Sequence, residues 1–73
     1  MEINSTILLQ GLSQKGKNRI RENGEEWTVL QIKQTVKFTS EPGPWILVES
    51  PKSNLRWIHA TNDKDFLLKK KSS

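Results

Sequence analysis

Trp45-Ile46-Leu47-Val48-Glu49 and Leu55-Arg56-Trp57-Ile58-His59-Ala60-Thr61, with Ser50-Pro51-Lys52-Ser53-Asn54 between them, decide the fold. Branched and aromatic side chains pack well on a pleated surface, and two such runs around a cluster of turn-forming residues predict a β-hairpin. Alternation puts Trp45 and Leu47 on one face of the first run and Ile46 and Val48 on the other. Both faces are apolar, so this strand is expected inside a sheet covered on both sides. Trp45, Leu47, Val48, Trp57 and Ile58 are the expected core. A four-residue loop, Pro51 to Asn54, would set Glu49 opposite Arg56 as an attractive cross-strand pair.

Working back from the hairpin, Ser40-Glu41-Pro42-Gly43-Pro44 reads as a chain reversal, with Pro42 and Gly43 suiting a type II turn. Before it, residues 27 to 33 and 35 to 39 read as strands. The first has Trp27 and Val29 on one face and Thr28, Leu30 and Ile32 on the other; the second has Val36 and Phe38 inward. They are either one strand with a bulge near Gln34 or two strands joined by a tight turn. Beyond the hairpin, Thr61-Asn62-Asp63-Lys64-Asp65 is a turn in which Asn and Asp side chains bond the local backbone. A last strand is expected near 66 to 69, and residues 69 to 73 are expected to be a disordered basic tail.

The first 24 residues are ambiguous. Ile3, Ile7, Leu8 and Leu12 have spacings that suit a helical stripe, and a short N-terminal helix over residues 1 to 12 is the expectation, although Ile7 to Gln10 would serve as a strand. Lys15-Gly16-Lys17-Asn18-Arg19-Ile20-Arg21-Glu22-Asn23-Gly24 supports two readings. As a strand it puts Lys15, Lys17, Arg19 and Arg21 on one face; as a helix it ends at Asn23-Gly24, with Gly where a side chain would clash. Periodicity favours the strand and end chemistry the helix. Together these readings give a mainly β fold: one domain over residues 1 to 68, a small curled antiparallel sheet or SH3-like barrel.

Lys15, Gly16, Lys17, Asn18, Arg19, Ile20, Arg21 and Glu22, followed by Gly24 and Trp27, then Gly43-Pro44-Trp45, Leu47-Val48, Arg56-Trp57-Ile58, Asp63 and Asp65-Phe66, form a spaced pattern over most of the chain. It resembles small uncharacterised proteins encoded in tailed-phage genomes. The resemblance carries no activity with it. It implies a phage or prophage accessory gene and a host-cell cytoplasmic setting.

Composition narrows the function classes. The chain of 73 residues has no Cys and one His, which excludes a disulfide, a thiolate nucleophile and Cys-based zinc sites. Ile7-Leu8-Leu9 is too short for a membrane helix and lacks a basic leader, so a soluble, cytoplasmic protein without a membrane partner is expected. Catalysis finds few candidates. Asp63 and Asp65 suit a turn better than a cation, Glu25 and Glu26 point to opposite sides of a strand, and His59 has no evident partner. The chain is not expected to be an enzyme or to hold a cofactor or metal.

Charge is more telling. Seven of the 12 Lys and Arg residues fall in two short segments, Lys15, Lys17, Arg19, Arg21 and Lys69, Lys70, Lys71, which leaves the remainder net acidic within a total of +4. Clustered basicity points to a located contact with a polyanion. If residues 15 to 21 were extended, alternate side chains would recur every ~6.6 Å, close to the spacing of phosphates along a strand. These seven residues are the candidate nucleic-acid-binding site, reading the backbone with little base specificity. A solvated surface segment is the competing account, and exposed Trp residues beside cations would add a stacking platform for bases. The alternative function is a protein-interaction module that docks by a sheet edge on a host or phage protein.

Overall fold

The computed structural model describes residues 2–70. Its elements follow the order β1 (Thr6–Gly11), α1 (Gln14–Asn23), β2 (Glu26–Lys33), β3 (Trp45–Glu49), β4 (Leu55–His59) and β5 (Phe66–Lys70). The five strands form one sheet in the order β4-β3-β2-β1-β5, with every neighbouring pair antiparallel. The protein is thus mainly β. No ladder joins β4 to β5 among the described residues, so the sheet is curled and not closed into a barrel. No helix among the described residues is long and apolar enough to cross a membrane.

Alternation along the strands sends one set of side chains to the concave face: Ile7 and Leu9, Trp27 and Val29, Ile46 and Val48, Ile58, and Phe66, each at most 3% exposed. The core draws on every strand, and Ile20 of α1 packs against it. In β2 the register shifts between Val29 and Gln31, so Leu30 is the extra residue of a bulge and Ile32 rejoins the inner side opposite Ile46. The bulge expected near Gln34 therefore lies four residues earlier, and Leu30 and Ile32 do not share a face.

Four expectations are corrected. Residues 6 to 11 form a strand, not part of a helix: β1 is paired on both sides, by β2 and β5, and this burial of Ile7 and Leu9 overrides the helical spacing. Ile3 and Leu12, two members of that stripe, are exposed. Residues 35 to 39 are not a strand. They form a turn with an isolated bridge between Val36 and Thr39, and Phe38 is 60% exposed, because the β2–β3 ladder ends where Lys33 meets Trp45 and leaves this segment no neighbour to pair with. Gly43 lacks the positive φ of a type II turn, and the Gly43–Pro44 peptide is cis; the Gly43 amide bonds the Gln34 carbonyl at 2.6 Å and closes the loop onto the end of β2. Finally, Glu49 stands opposite Leu55, and Arg56 opposite Val48. The β3–β4 turn closes with the Ser50 amide on the Asn54 carbonyl at 2.9 Å, so residue 50 ends the strand pairing and the register differs by one. A one-residue slip moves a side chain to the other face, and Arg56 accordingly points to the concave side.

The convex face carries a second, smaller cluster. Trp45 is covered there by Phe38, at 5.2 Å between ring centroids, and His59, at 4.9 Å, and its indole N–H donates to the Glu41 carbonyl. Leu47 and Trp57 are half-buried, not core, because β4 is an edge strand and nothing further covers this part of the sheet. β5 runs to Lys70, so Lys69 and Lys70 belong to the sheet, opposite Leu8 and Ile7, and the tail boundary shifts accordingly.

This burial pattern ranks the Trp residues. Trp27→Ala should lower the urea-unfolding free energy by about 3–5 kcal/mol, whereas Trp57→Ala should cost roughly 1–2 kcal/mol and leave a cooperatively folding protein. Equal losses at the two positions would contradict the assignment of Trp57 to the convex face.

Candidate nucleic-acid interface

The helix reading of residues 15 to 24 is the correct one, and local chemistry at both ends shows why. Ser13 has extended backbone angles and its hydroxyl accepts from the Gly16 amide at 3.0 Å, which satisfies one of the orphan donors of the first turn. At the other end Gly24 takes φ 91° and ψ 175°, a region open essentially to glycine alone, and its amide bonds the Ile20 carbonyl at 2.7 Å.

Both ends are also pinned to the sheet. Ser13 Oγ donates to Asp65 Oδ1, and the Leu12 amide donates to the Asp65 carbonyl at 2.7 Å. Gly16 is buried against that same carbonyl, with no room for a Cβ. At the C-terminal end Asn23 is 5% exposed. Its Oδ1 accepts from Ser50 Oγ at 3.0 Å and Asn54 Nδ2 at 2.7 Å, and its Nδ2 donates to the Arg19 carbonyl. Trp27 Nε1 donates to the Gly24 carbonyl at 3.0 Å. The helix thus runs from the start of β5 to the β3–β4 turn, its inward side made of Gly16, Ile20 and Asn23.

All four helix cations are exposed. They do not line one side as an extended chain would. At about 100° per residue, Lys15 and Arg19 share one flank and Lys17 and Arg21 the other. Gln14 and Asn18 form the ridge between the flanks, joined by a hydrogen bond from Gln14 Nε2 to Asn18 Oδ1 at 3.0 Å.

The Lys15–Arg19 flank faces a groove of about 550 Å³ lined also by Asn18, Glu22, Arg56 and Asp65. Arg56 is the site residue that sequence reasoning missed, because the expected register turned it outward toward Glu49. Its Nη2 pairs with Asp65 Oδ2 at 3.2 Å, its guanidinium carbon lies 4.9 Å from the Phe66 ring centroid, and its buried Nε has no hydrogen-bond partner among the described residues. Of the other sequence-predicted site residues, Lys69 and Lys70 lie on β5 rather than on the helix, and Lys71 lies outside the described residues.

The other candidates have structural partners. Asp63 Oδ1 accepts from the Asp65 and Phe66 amides at 2.9 and 3.1 Å, and Oδ2 accepts from the His59 amide at 3.1 Å, which is turn chemistry. His59 Nδ1 accepts from the Thr61 and Asn62 amides, so the ring proton sits on Nε2 and is donated to the Pro42 carbonyl at 2.8 Å. Among the described residues no three His, Asp or Glu side chains gather as metal ligands.

Comparison with family models, curated proteins and solved structures gives no match, so this interface is interpreted from its own geometry.

The docking of α1 inverts an ordinary rule. Gly→Ala inside a helix normally stabilises by about 1 kcal/mol, but Gly16→Ala should destabilise, since its methyl group must displace the Asp65 carbonyl. Urea denaturation with a lower midpoint is the expected outcome; a raised midpoint would contradict the close approach.

Proposed function

We propose that this chain is a small accessory binding protein, not an enzyme, that holds nucleic acid by its phosphates through α1, with little sequence specificity. One observation carries the reading: a helix fixed at both ends turns only Gly16, Ile20 and Asn23 inward and leaves Lys15, Lys17, Arg19 and Arg21 in solvent. Fixed cations lose less freedom on meeting phosphates than the same charges on a loose segment. The spaced pattern in the sequence supports a phage or prophage gene and the host-cell cytoplasm as the setting.

The second reading, docking on a host or phage protein, has one observation in its favour. Backbone bonds from Ser50 to Asn54 and from Ala60 to Pro44 fix the parity of the β3–β4 ladder, so Leu55, Trp57 and His59 turn their amides and carbonyls to the free edge. Asp63 takes the His59 amide. The edge offered to a partner strand is therefore that of Leu55 and Trp57, a short stretch for strand addition.

If α1 contacts phosphates, affinity for mixed-sequence DNA or RNA should fall steeply with salt, because each neutralised phosphate releases condensed counterions. Arg19→Gln with Arg21→Gln should lower affinity and reduce the salt slope by about one unit per lost contact, while the fold persists. Absence of binding to either polymer at low salt would remove this reading in favour of the protein partner, for which a pull-down from the native host is the informative experiment.

A further inference from the structure

The convex face holds a second feature of recognisable chemistry. Lys33, Thr35, Val36, Lys37, Phe38 and Trp57 line a cleft of about 430 Å³ between the 34–44 loop and the outer side of β4. Phe38 is 60% exposed, yet its ring is held edge-on against buried Trp45, with an interplanar angle of 79°. Trp57 is half-buried, and Lys33 Nζ lies 5.9 Å from its ring centroid. No carboxylate lines the cleft.

We propose that this cleft binds a base of single-stranded nucleic acid, stacked on Trp57 and Phe38, with the flanking phosphates met by Lys33 and Lys37. Each part of the cleft suits that ligand. A base presents a π-face to any aromatic ring regardless of sequence, and stacking strength adds to backbone electrostatics. The volume admits a planar heterocycle, and two lysines without a carboxylate favour an anionic polymer. A duplex does not fit the same description, because its bases are already stacked on one another. The cleft names the same polymer class as the α1 reading but rests on different residues. It sits where β2 ends at Lys33, whereas α1 leads into the start of β2 at Glu26.

The test uses the intact chain and oligothymidylate of about ten nucleotides, within the range of small single-strand binding sites. Binding should quench Trp emission, since Trp57 is the half-exposed indole while Trp27 and Trp45 are buried. Phe38→Ala, at an exposed position, should weaken single-strand affinity roughly tenfold or more and leave affinity for a duplex of equal length unchanged. Trp57→Phe should keep the affinity and lose most of the quench. Lys33→Gln with Lys37→Gln should reduce the salt slope for the single strand by about two units at most. Unaltered single-strand binding in Phe38→Ala would overturn the proposal, as would equal quenching by polyglutamate. If Arg19→Gln with Arg21→Gln abolishes binding while Phe38→Ala changes nothing, the cleft fails and α1 stands. The reverse result keeps the cleft and removes α1.

Discussion

Asp65 ties together parts of the chain that the sheet alone leaves apart. Its carboxylate accepts from Ser13 Oγ on one oxygen and from Arg56 Nη2 at 3.2 Å on the other, and its backbone carbonyl takes the Leu12 amide while lying against Gly16. The helix start, an edge strand and the entrance to the last strand meet at one residue. The two edge strands of the open sheet, β4 and β5, have no ladder between them, and Arg56 reaching to Asp65 and Phe66 connects them. The ion pair itself is modest: the side chains are 34% and 27% exposed, and a pair so solvated is worth about 1 kcal/mol or less. Its importance is positional, since the same carboxylate that pairs with Arg56 also fixes the N-cap residue of α1.

The sequence showed the strands around Trp27, Trp45 and Ile58 because each combines branched and aromatic side chains with clear turn chemistry on at least one side. It did not show β1, because Ile7, Leu8 and Leu9 suit either period and only the flanking partners β2 and β5 decide between them. Nor did it show the β3–β4 register. Charge attraction between Glu49 and Arg56 favoured one alignment, but Ser50 accepts from the Lys52 and Asn54 amides and donates to Asn23, which makes it the hinge of the turn. Surface attraction of under about 1 kcal/mol yields to a buried polar network that leaves fewer polar groups unpaired. That single step of register put Arg56 on the concave side.

The candidate site was half legible. The cluster Lys15, Lys17, Arg19 and Arg21 stands out in any composition reading, whereas its geometry depends on whether the segment is strand or helix. Alternation of charged and uncharged residues imitates strand periodicity here, but Ser13 and Gly24 supply helix ends with definite hydrogen bonds. Gly16, which interrupts the helical propensity, is required by contact with a loop about 50 residues away, information that no local reading contains. Trp57 was misplaced for a related reason: strand propensity does not distinguish an edge strand from a central one, and half of β4 faces solvent.

The account rests on α1 being a rigid platform fixed by Asp65, so amide hydrogen exchange across α1 tests it most directly. In the native chain the Lys17 and Gly24 amides, which donate to the Ser13 and Ile20 carbonyls, should be protected. Asp65→Ala should strip protection from α1 while the Val29 and Val48 region of the sheet core keeps it. Helix amides that exchange freely in the native chain, or that remain as protected in Asp65→Ala as before, would contradict the account.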